Sequence, residues 1–206
     1  MENDISNLAS QFISTLNLPE NRYKKPISIA FVGAPASGKS YLAYQIVNNL
    51  PFVLVSENSI ESFLAEHSEL LKEGREAIIN LAQFVLEDLT KSKINSIFDA
   101  SLKKYSERQA LKSIIESAGG QFIVIHIDTP QATCFRRIQK RNKEILDRSL
   151  KGTIMDWDYF FYEVNTTEFP RKEEKALSVE AHRRGEVGRF ITRIAKKIEG
   201  KETINQ

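Results

Sequence analysis

The sequence predicts an α/β fold of three layers, in which helices cover both faces of a central parallel sheet. Two observations carry this prediction: short apolar runs bounded by turn residues alternate with segments of helical apolar spacing, and the alternation continues along the chain. The predicted strands are 27–32, 52–55, 94–98, 122–127 and 176–180. The predicted helices are 4–17, 39–49, 58–71, 74–91, a segment from Ser106 to Gly119, 130–148 and 186–198.

Local residue patterns justify the elements of the first half. The first helix has apolar residues at helical spacing, namely Ile5, Leu8, Phe12 and Leu16. The strands 27–32 and 52–55 are apolar runs bounded by turn residues, as expected of strands that are buried on both faces. Pro51 ends the helix between them. The helix 74–91 repeats apolar residues every three or four positions, which predicts a buried face.

The elements of the second half follow from end signals as well as from periodicity. The third strand ends at Asp99, and Ser106 with Gln109 has the form of a capping box that opens the next helix. Gly119 and Gly120 close that helix. The run 122–127 is a nearly continuous apolar strand, in which His126 is interpreted as a core or sheet-end residue. Pro130 is expected to be the first residue of the next helix.

The length of 206 residues predicts one domain over residues 1–206, which opens with an N-terminal helix and linker in 1–25. The single cysteine, Cys134, excludes an internal disulfide and favours a reducing, cytoplasmic setting. The first residues lack the pattern of a signal peptide, and no apolar run approaches the roughly 18 residues that span a bilayer. The net charge of +2 does not by itself call for a nucleic-acid partner.

The strongest motif is a phosphate-binding loop, which fits G-x-x-x-x-G-K-[ST] and lies between a predicted strand and a predicted helix. Its residues are Gly33, Ala34, Pro35, Ala36, Ser37, Gly38, Lys39 and Ser40, and Tyr41 follows directly. The glycines let backbone N–H groups point at phosphate oxygens, and the helix adds its positive end. Lys39 would contact the β- and γ-phosphates, and the Ser40 hydroxyl would ligate Mg²⁺. The sequence therefore predicts ATP and Mg²⁺ as cofactors, bound by residues 33–41.

Two other classes of nucleotide-binding protein are excluded by their own motifs. A GTPase would need Asn-Lys-x-Asp, and the nearest match, Asn142 to Ile145, fails at its last position. The segment Ser117 to Gln121 superficially resembles the signature loop of ABC ATPases, but it is explained as the end of a helix that leads into a strand. No apolar strand ending in Asp-Glu accompanies it.

Four features in order resemble the small P-loop kinases, a group that includes polynucleotide kinase, zeta-toxin-like and chloramphenicol-phosphotransferase-like proteins. They are the loop 33–40, the segment Val55 to Glu61, the strand end Phe98-Asp-Ala-Ser-Leu102 with Arg108 on the next helix, and Arg137-Ile-Gln-Lys-Arg141. The resemblance covers about residues 27–150. It implies a P-loop NTPase fold with strand order 2-3-1-4-5 and transfer of the ATP γ-phosphoryl group to a hydroxyl.

Catalytic roles follow for four residues: Lys39, Asp99, Arg137 and Arg141. A carboxylate at Asp99, at the end of a strand beside the loop, can hold Mg²⁺ or orient an acceptor hydroxyl, although it could instead cap a turn. Arg137 and Arg141 share a helix face. The resemblance implies that a lid, which together with the aromatic segment after it covers about 130–165, projects them onto the transferring phosphoryl group. The alternative is a solvated face of the basic run 136–151. For Arg108, a substrate contact and a solvated position remain equally open.

The second strand departs from the group's pattern, which has Asp there and Arg three residues later. The matching positions are Asn58 and Glu61, and Glu57 could serve as the base if the register shifts by one. Asn cannot accept a proton, so this departure favours a small-molecule or nucleoside acceptor, with a polynucleotide still possible. It also keeps open a second function, a nucleotide-binding switch or ATPase that regulates a partner. No membrane partner is expected, and the oligomeric state stays open.

An aromatic group follows the basic run; its members are Trp157, Tyr159, Phe160, Phe161 and Tyr162. Packing in the core or against another subunit is the favoured interpretation. A surface on which a base or a flat substrate stacks is the alternative.

Overall fold

The structure is a computed structural model and describes residues 2–66, 74–149 and 154–199. The helices are α1 Glu2–Ser14, α2 Lys39–Val47, α3 Glu57–Ala65, α4 Arg75–Lys91, α5 Tyr105–Ser117, α6 Gln131–Arg148, α7 Trp157–Asn165 and α8 Glu186–Glu199. The strands are β1 Ile27–Val32, β2 Val53–Ser56, β3 Ser96–Asp99, β4 Gln121–Ile127 and β5 Leu177–Val179. A short 3₁₀ turn covers Lys172–Glu174. Residues 67–71 of the predicted helix 58–71 lie outside the described part.

All five strands are parallel and follow the order β2-β3-β1-β4-β5, which confirms the predicted topology. β1 is central and buried along its whole length, as expected of a strand covered on both faces. The pairing places Asp99 opposite Ser56 and Val32 opposite His126, so the carboxyl ends of these strands meet at one edge of the sheet. The sequence predicted this edge as the position of the functional site.

Two apolar layers sandwich the sheet. One layer packs α1, α3, α4 and α5 against the sheet face that carries Ala30, Val55 and Phe98. The other packs α2 and α8 against the opposite face, which carries Ile29 and Ile125. Alternate residues of each central strand therefore enter opposite cores. The described residues contain no helix that is both long and apolar enough to cross a membrane.

Two local predictions were wrong, and one helix was not predicted. α5 begins at Tyr105 rather than after Ser106. The Glu107 carboxylate accepts the backbone N–H of Lys104 at 3.1 Å, so the N-terminal cap of the helix lies at Lys104. Pro130 precedes α6 instead of opening it, with an extended backbone (φ −53°, ψ 135°). The helix α7 was not predicted. Its run of adjacent aromatic residues lacks a clear helical period, but the Asp156 carboxylate caps it by accepting the backbone N–H of Tyr159 at 2.8 Å.

Candidate functional site

The P-loop has the backbone that a phosphate cradle requires. Gly38 precedes α2 with φ +114°, and Ala36 has φ +57°. A Cβ on Gly33 would lie 2.8 Å from Ser37 Oγ and 2.9 Å from the carbonyl oxygen of Ile127, so only glycine fits there. The first turn of α2 carries no acidic residue, which leaves its positive end open to an anion.

Lys39 lies folded against its own loop. Its Nζ donates hydrogen bonds to the carbonyl oxygens of Gly33 at 2.8 Å and Ala34 at 3.0 Å. Burial lowers the pKa of Lys39 to about 8, although the Asp99 carboxylate opposes this shift. The ammonium is therefore a desolvated cation that gains from a phosphate anion arriving in the cradle.

Asp99 ends β3 next to the P-loop strand, as the sequence predicted. Burial raises the pKa of its carboxyl, whereas a hydrogen bond with Ser40 and the charge of Lys39 lower it. The Ser40 hydroxyl and the Asp99 carboxylate are therefore near each other and offer the oxygen ligands that Mg²⁺ prefers. Among the described residues no group of three His, Cys, Asp or Glu side chains forms a metal cage. A hydroxyl and a single carboxylate nevertheless fit Mg²⁺, which keeps several waters and binds substrate phosphates.

The two arginines of α6 face the loop. Arg137 Nη1 donates to the carbonyl oxygens of Ala36 and Ser37, both at 3.0 Å, and Thr129 Oγ1 donates to Ser37 O at 2.9 Å. Arg141 lies one turn further along the helix. A cavity of about 540 Å³ opens between α6 and the loop. It is lined by Ala36, Gly38, Lys39, Ser40, Tyr41, Arg137, Arg141 and Ala181. The two predicted lid residues and the predicted nucleotide site therefore line one cavity.

The three residues at which the sequence departs from the kinase pattern, Glu57, Asn58 and Glu61, fall into two groups. Glu57 is the first residue of α3 and lies beside the site. Its carboxylate accepts the backbone N–H of Ser101 at 3.3 Å. Burial is the main reason for the raised pKa of Asp99, and the negative charge of Glu57 raises that pKa further. Arg75 Nε lies 3.3 Å from the Glu57 carboxylate. Asn58 and Glu61 lie on the exposed side of α3. The structure thus brings only Glu57 of these three beside Asp99.

Arg108 is fully buried, so its solvated interpretation was wrong. Its Nε and Nη2 donate to the two carboxylate oxygens of Glu174 at 2.7 and 2.9 Å, and Nη1 donates to the carbonyl oxygens of Leu102 and Lys103. These bonds fix the segment after α7 to the start of α5. They indicate that Arg108 holds the fold together, and its substrate role stays a prediction without a contact to support it.

Replacing Arg108 with methionine is expected to destabilise the protein by about 3–5 kcal/mol, because the Glu174 carboxylate would stay buried without its cation. The free energy of unfolding from urea titration measures this loss. The double variant R108M/E174M should regain most of it, since replacing a buried ion pair by apolar residues is often neutral. A loss below about 1 kcal/mol in R108M, the range of exposed pairs, would contradict the structural role.

Sequence reasoning missed an ion pair at the other side of the site. Lys103 Nζ contacts Glu163 Oε2, which joins the loop after β3 to α7. Both charges act on the pKa of Lys39, which burial lowers, so the pair lies near the phosphate cradle. The only signal in the sequence was the position of Lys103, four residues after Asp99, since Glu163 stands far away along the chain.

The five residues of the aromatic group all lie in α7, but they differ in burial. Phe160 is fully buried and packs with Ala34, Cys134 and Ile138, which confirms core packing for this residue. The other four rings are between 46% and 60% exposed. They belong to Trp157, Tyr159, Phe161 and Tyr162. Core packing was therefore wrong for those four, and their surface role remains a prediction.

Replacing Asp99 with asparagine tests whether its carboxylate serves the metal. We expect turnover to fall on the order of 10²-fold and the Mg²⁺ concentration for half-maximal activity to rise, while the affinity for metal-free ATP changes little. Steady-state kinetics at varied Mg²⁺ measures both effects. Asp128→Asn is the matched control, because Asp128 follows β4 at the same edge of the sheet and is exposed. Equal losses of thermal stability and turnover in D99N would instead make Asp99 a structural cap.

Solved structures with low sequence identity share this fold. A gluconokinase from Sinorhizobium meliloti superposes with a TM-score of 0.58 at 19% identity, over 87% of this chain and 96% of that one. Kti12 from Chaetomium thermophilum, in complex with ADP-AlF3, gives 0.56 at 16% identity, over 83% and 98%. A chain of the Pnkp1/Rnl/Hen1 RNA repair complex gives 0.54 at 20% identity, over 71% and 45%. These similarities show an α/β P-loop NTPase fold.

Sequence comparison identifies the family. No curated protein matches the chain at a significant level. The profile of the family described as AAA domain matches residues 29–154, which is more than half of the 206 residues and includes the P-loop, Asp99 and both lid arginines. The chain therefore belongs to the AAA domain family.

Proposed function

We propose that the protein transfers the γ-phosphoryl group of ATP to a hydroxyl of a small molecule or nucleoside. The observation that carries this proposal is the cavity in which Lys39 and Ser40 of the P-loop face Arg137 and Arg141 of α6. A protein that only binds a nucleotide has no need of two further cations over the loop, whereas phosphoryl transfer needs the developing charge stabilised.

On the ATP side, the backbone N–H groups of residues 33–40 would hold the phosphates, and Lys39 would exchange its loop carbonyls for phosphate oxygens. A neighbouring cavity of about 670 Å³ between α2 and the loop after β5 has room for the nucleoside. It shares Tyr41 and Ala181 with the first cavity. Ser40 and Asp99 would hold Mg²⁺, which neutralises charge on the β- and γ-phosphates when it is bound.

On the acceptor side, Glu57 and Asp99 would orient the attacking hydroxyl. The hydroxyl oxygen forms a bond to the γ-phosphorus as the bond from that phosphorus to the bridging oxygen breaks, and ADP leaves with that oxygen. The hydroxyl proton passes to a carboxylate and then to solvent. Glu57 suits this role because Ser101 N and Arg75 fix its carboxylate beside Asp99. Positioning and charge stabilisation account for most of such catalysis.

A polynucleotide acceptor is less favoured. α6 carries six basic and two acidic residues, which would suit a phosphate backbone, but Lys151 of the predicted basic run lies outside the described residues. Binding through phosphates loses affinity steeply with salt, with a log–log slope of about −0.7 per contact for single strands. A labelled oligonucleotide titrated at several salt concentrations should therefore bind weakly with a slope near zero. Tight, salt-sensitive binding with ATP-dependent 5′ labelling would overturn the preference.

The second candidate is a nucleotide-binding switch or ATPase that regulates a partner. The departure at Asn58 and Glu61 favours it, because the resembling kinases carry Asp and Arg at these positions. Measuring ATP consumption with and without a panel of hydroxyl acceptors separates the two. A phosphorylated acceptor establishes the transferase, whereas hydrolysis that no acceptor stimulates and that yields only phosphate would exclude it.

A further inference from the structure

Helix α7 packs against the P-loop and α6. Phe160 and Val164 pack into one apolar cluster with Ala34 of the loop and with Cys134 and Ile138 of α6. The family profile ends at residue 154, and α7 begins at Trp157. The side chains that α7 presents to the site are therefore not part of the matched family region, which makes them candidates for specificity in this chain.

Glu163 is held at this border by an ion pair. Its carboxylate contacts Lys103 Nζ, and their side chains are only 12% and 28% exposed. The Lys103 carbonyl oxygen accepts the backbone N–H of Glu168 at 2.8 Å, so the loop after β3 and the segment after α7 are joined twice. Lys103 follows Asp99 by four residues. The charges of the pair act on Lys39, so the pair lies near the phosphate cradle.

Tyr159 adds a ring to the same border. It precedes Glu163 by one helical turn, so the two side chains share a face of α7. Its side chain is 46% exposed, whereas Phe160 next to it is fully buried. Phe161, two residues from both Tyr159 and Glu163, lies on a different face of α7 and is 47% exposed. A half-exposed ring one helical turn before a partly buried ion pair gives this face of α7 both an apolar and a charged surface.

We propose that Tyr159, Glu163 and Lys103 bind the acceptor, and that this acceptor is an uncharged polyhydroxylated molecule such as a sugar or sugar alcohol. The inference rests on the proposed phosphotransferase function. A carboxylate can accept a hydrogen bond from one hydroxyl while the adjacent ammonium donates to its neighbour, so the pair suits a vicinal diol. The tyrosine ring supplies an apolar face for the C–H surface of such a molecule and a hydroxyl for its rim.

The charges at this border disfavour an anionic acceptor. Glu57, Asp99 and Glu163 are carboxylates, Lys39 is assigned to the phosphates of ATP, and the cations next to Glu57 and Glu163 are already paired with carboxylates. Lys103 lies against Glu163, and Arg75 lies 3.3 Å from Glu57 and 2.8 Å from Glu107. An anion would have to displace a carboxylate from one of these pairs and would then face the remaining acids. An uncharged polyol can bind with both pairs intact.

The test measures binding and transfer separately. Protein loaded with a non-hydrolysable ATP analogue is titrated with D-glucose, D-ribose and sorbitol, with gluconate as an anionic polyol, and with a 5′-hydroxyl oligonucleotide. We expect a neutral polyol to bind more tightly than gluconate. E163Q and Y159A should raise its Kd, and the KM for transfer, roughly 10- to 100-fold, with an unchanged KM for ATP. Phe161→Ala, at a ring as exposed as that of Tyr159, and the exposed Glu116→Gln are controls that should retain wild-type values.

A charge exchange, K103E/E163K, separates recognition from mere stability. It retains an ion pair between the loop and α7, so its melting temperature should be at least as high as that of the single variant E163Q. The acceptor affinity should stay low, because the hydrogen-bond donor and acceptor have changed places. Wild-type acceptor affinity in this double variant would overturn the inference. So would an unchanged KM for transfer in E163Q and Y159A, tighter binding of gluconate than of the neutral polyols, or no binding of any neutral polyol. Polyol binding that depends on Glu163 without any transfer would instead overturn the proposed function alone.

Discussion

Replacing Arg137 and Arg141 together with alanine is expected to lower kcat about 10³-fold or more, because arginines that stabilise the transferring phosphoryl group contribute on the order of 10³ to 10⁵ in rate. Their guanidinium groups would meet charge that develops only in the transition state, so the affinity for ATP should change little. Single-turnover kinetics and a fluorescent-nucleotide titration measure the two quantities. Lys143→Ala on another face of α6 is the control, since Lys143 is exposed.

The single variants distinguish this role from a structural one. Arg137 donates to the carbonyl oxygens of Ala36 and Ser37 in the structure, so it also holds the P-loop. If that were its only contribution, R137A would weaken ATP binding and R141A would have no effect. We expect instead that both variants lower kcat. Wild-type rates in both variants would mean that the basic residues of α6 form a solvated helix face without a catalytic role.

The parts of the site that lie close together in sequence could be predicted from it. The strand, loop and helix that form the phosphate cradle are consecutive, and their glycines and lysine have a fixed spacing. Asp99 could be placed because parallel strands bring their carboxyl ends to one edge of the sheet. The order of the strands followed from the resemblance, and the pairing of the strands confirms it.

The ion pairs between distant segments could not be predicted. Arg108 and Glu174 are 66 residues apart, and nothing local distinguishes a buried arginine from a solvated one on an amphipathic helix. Glu163 similarly meets Lys103 only because Phe160 and Val164 seat α7 on the P-loop. The start of α5 was misplaced for a local reason. Ser106 with Gln109 has the form of a capping box, but in the structure the Glu107 carboxylate caps the helix two residues earlier, at Lys104.

Replacing Lys39 with alanine is expected to abolish turnover and to weaken nucleotide binding, with the fold retained. Lys39 is the cation of the phosphate cradle, and its loss removes a charge-assisted contact to the β- and γ-phosphates. Removal of a single such donor elsewhere costs about 10²- to 10³-fold in rate. Circular dichroism checks the fold, and steady-state kinetics with a nucleotide titration measure the loss. Unchanged affinity and turnover in a folded variant would exclude the P-loop assignment.

The pH dependence of nucleotide binding identifies Lys39 as the source of that contact. Burial lowers its pKa to about 8 in the free protein, against 10.5 for an ordinary lysine. Above pH 8 the free protein loses the proton that the bound phosphate requires, so the Kd for ADP should rise by up to about tenfold per pH unit until the pKa of the complex is reached. The K39A protein should bind weakly and lack this rise. A wild-type Kd that stays constant between pH 7.5 and about 9.5 would mean that the Lys39 ammonium does not contact the phosphates.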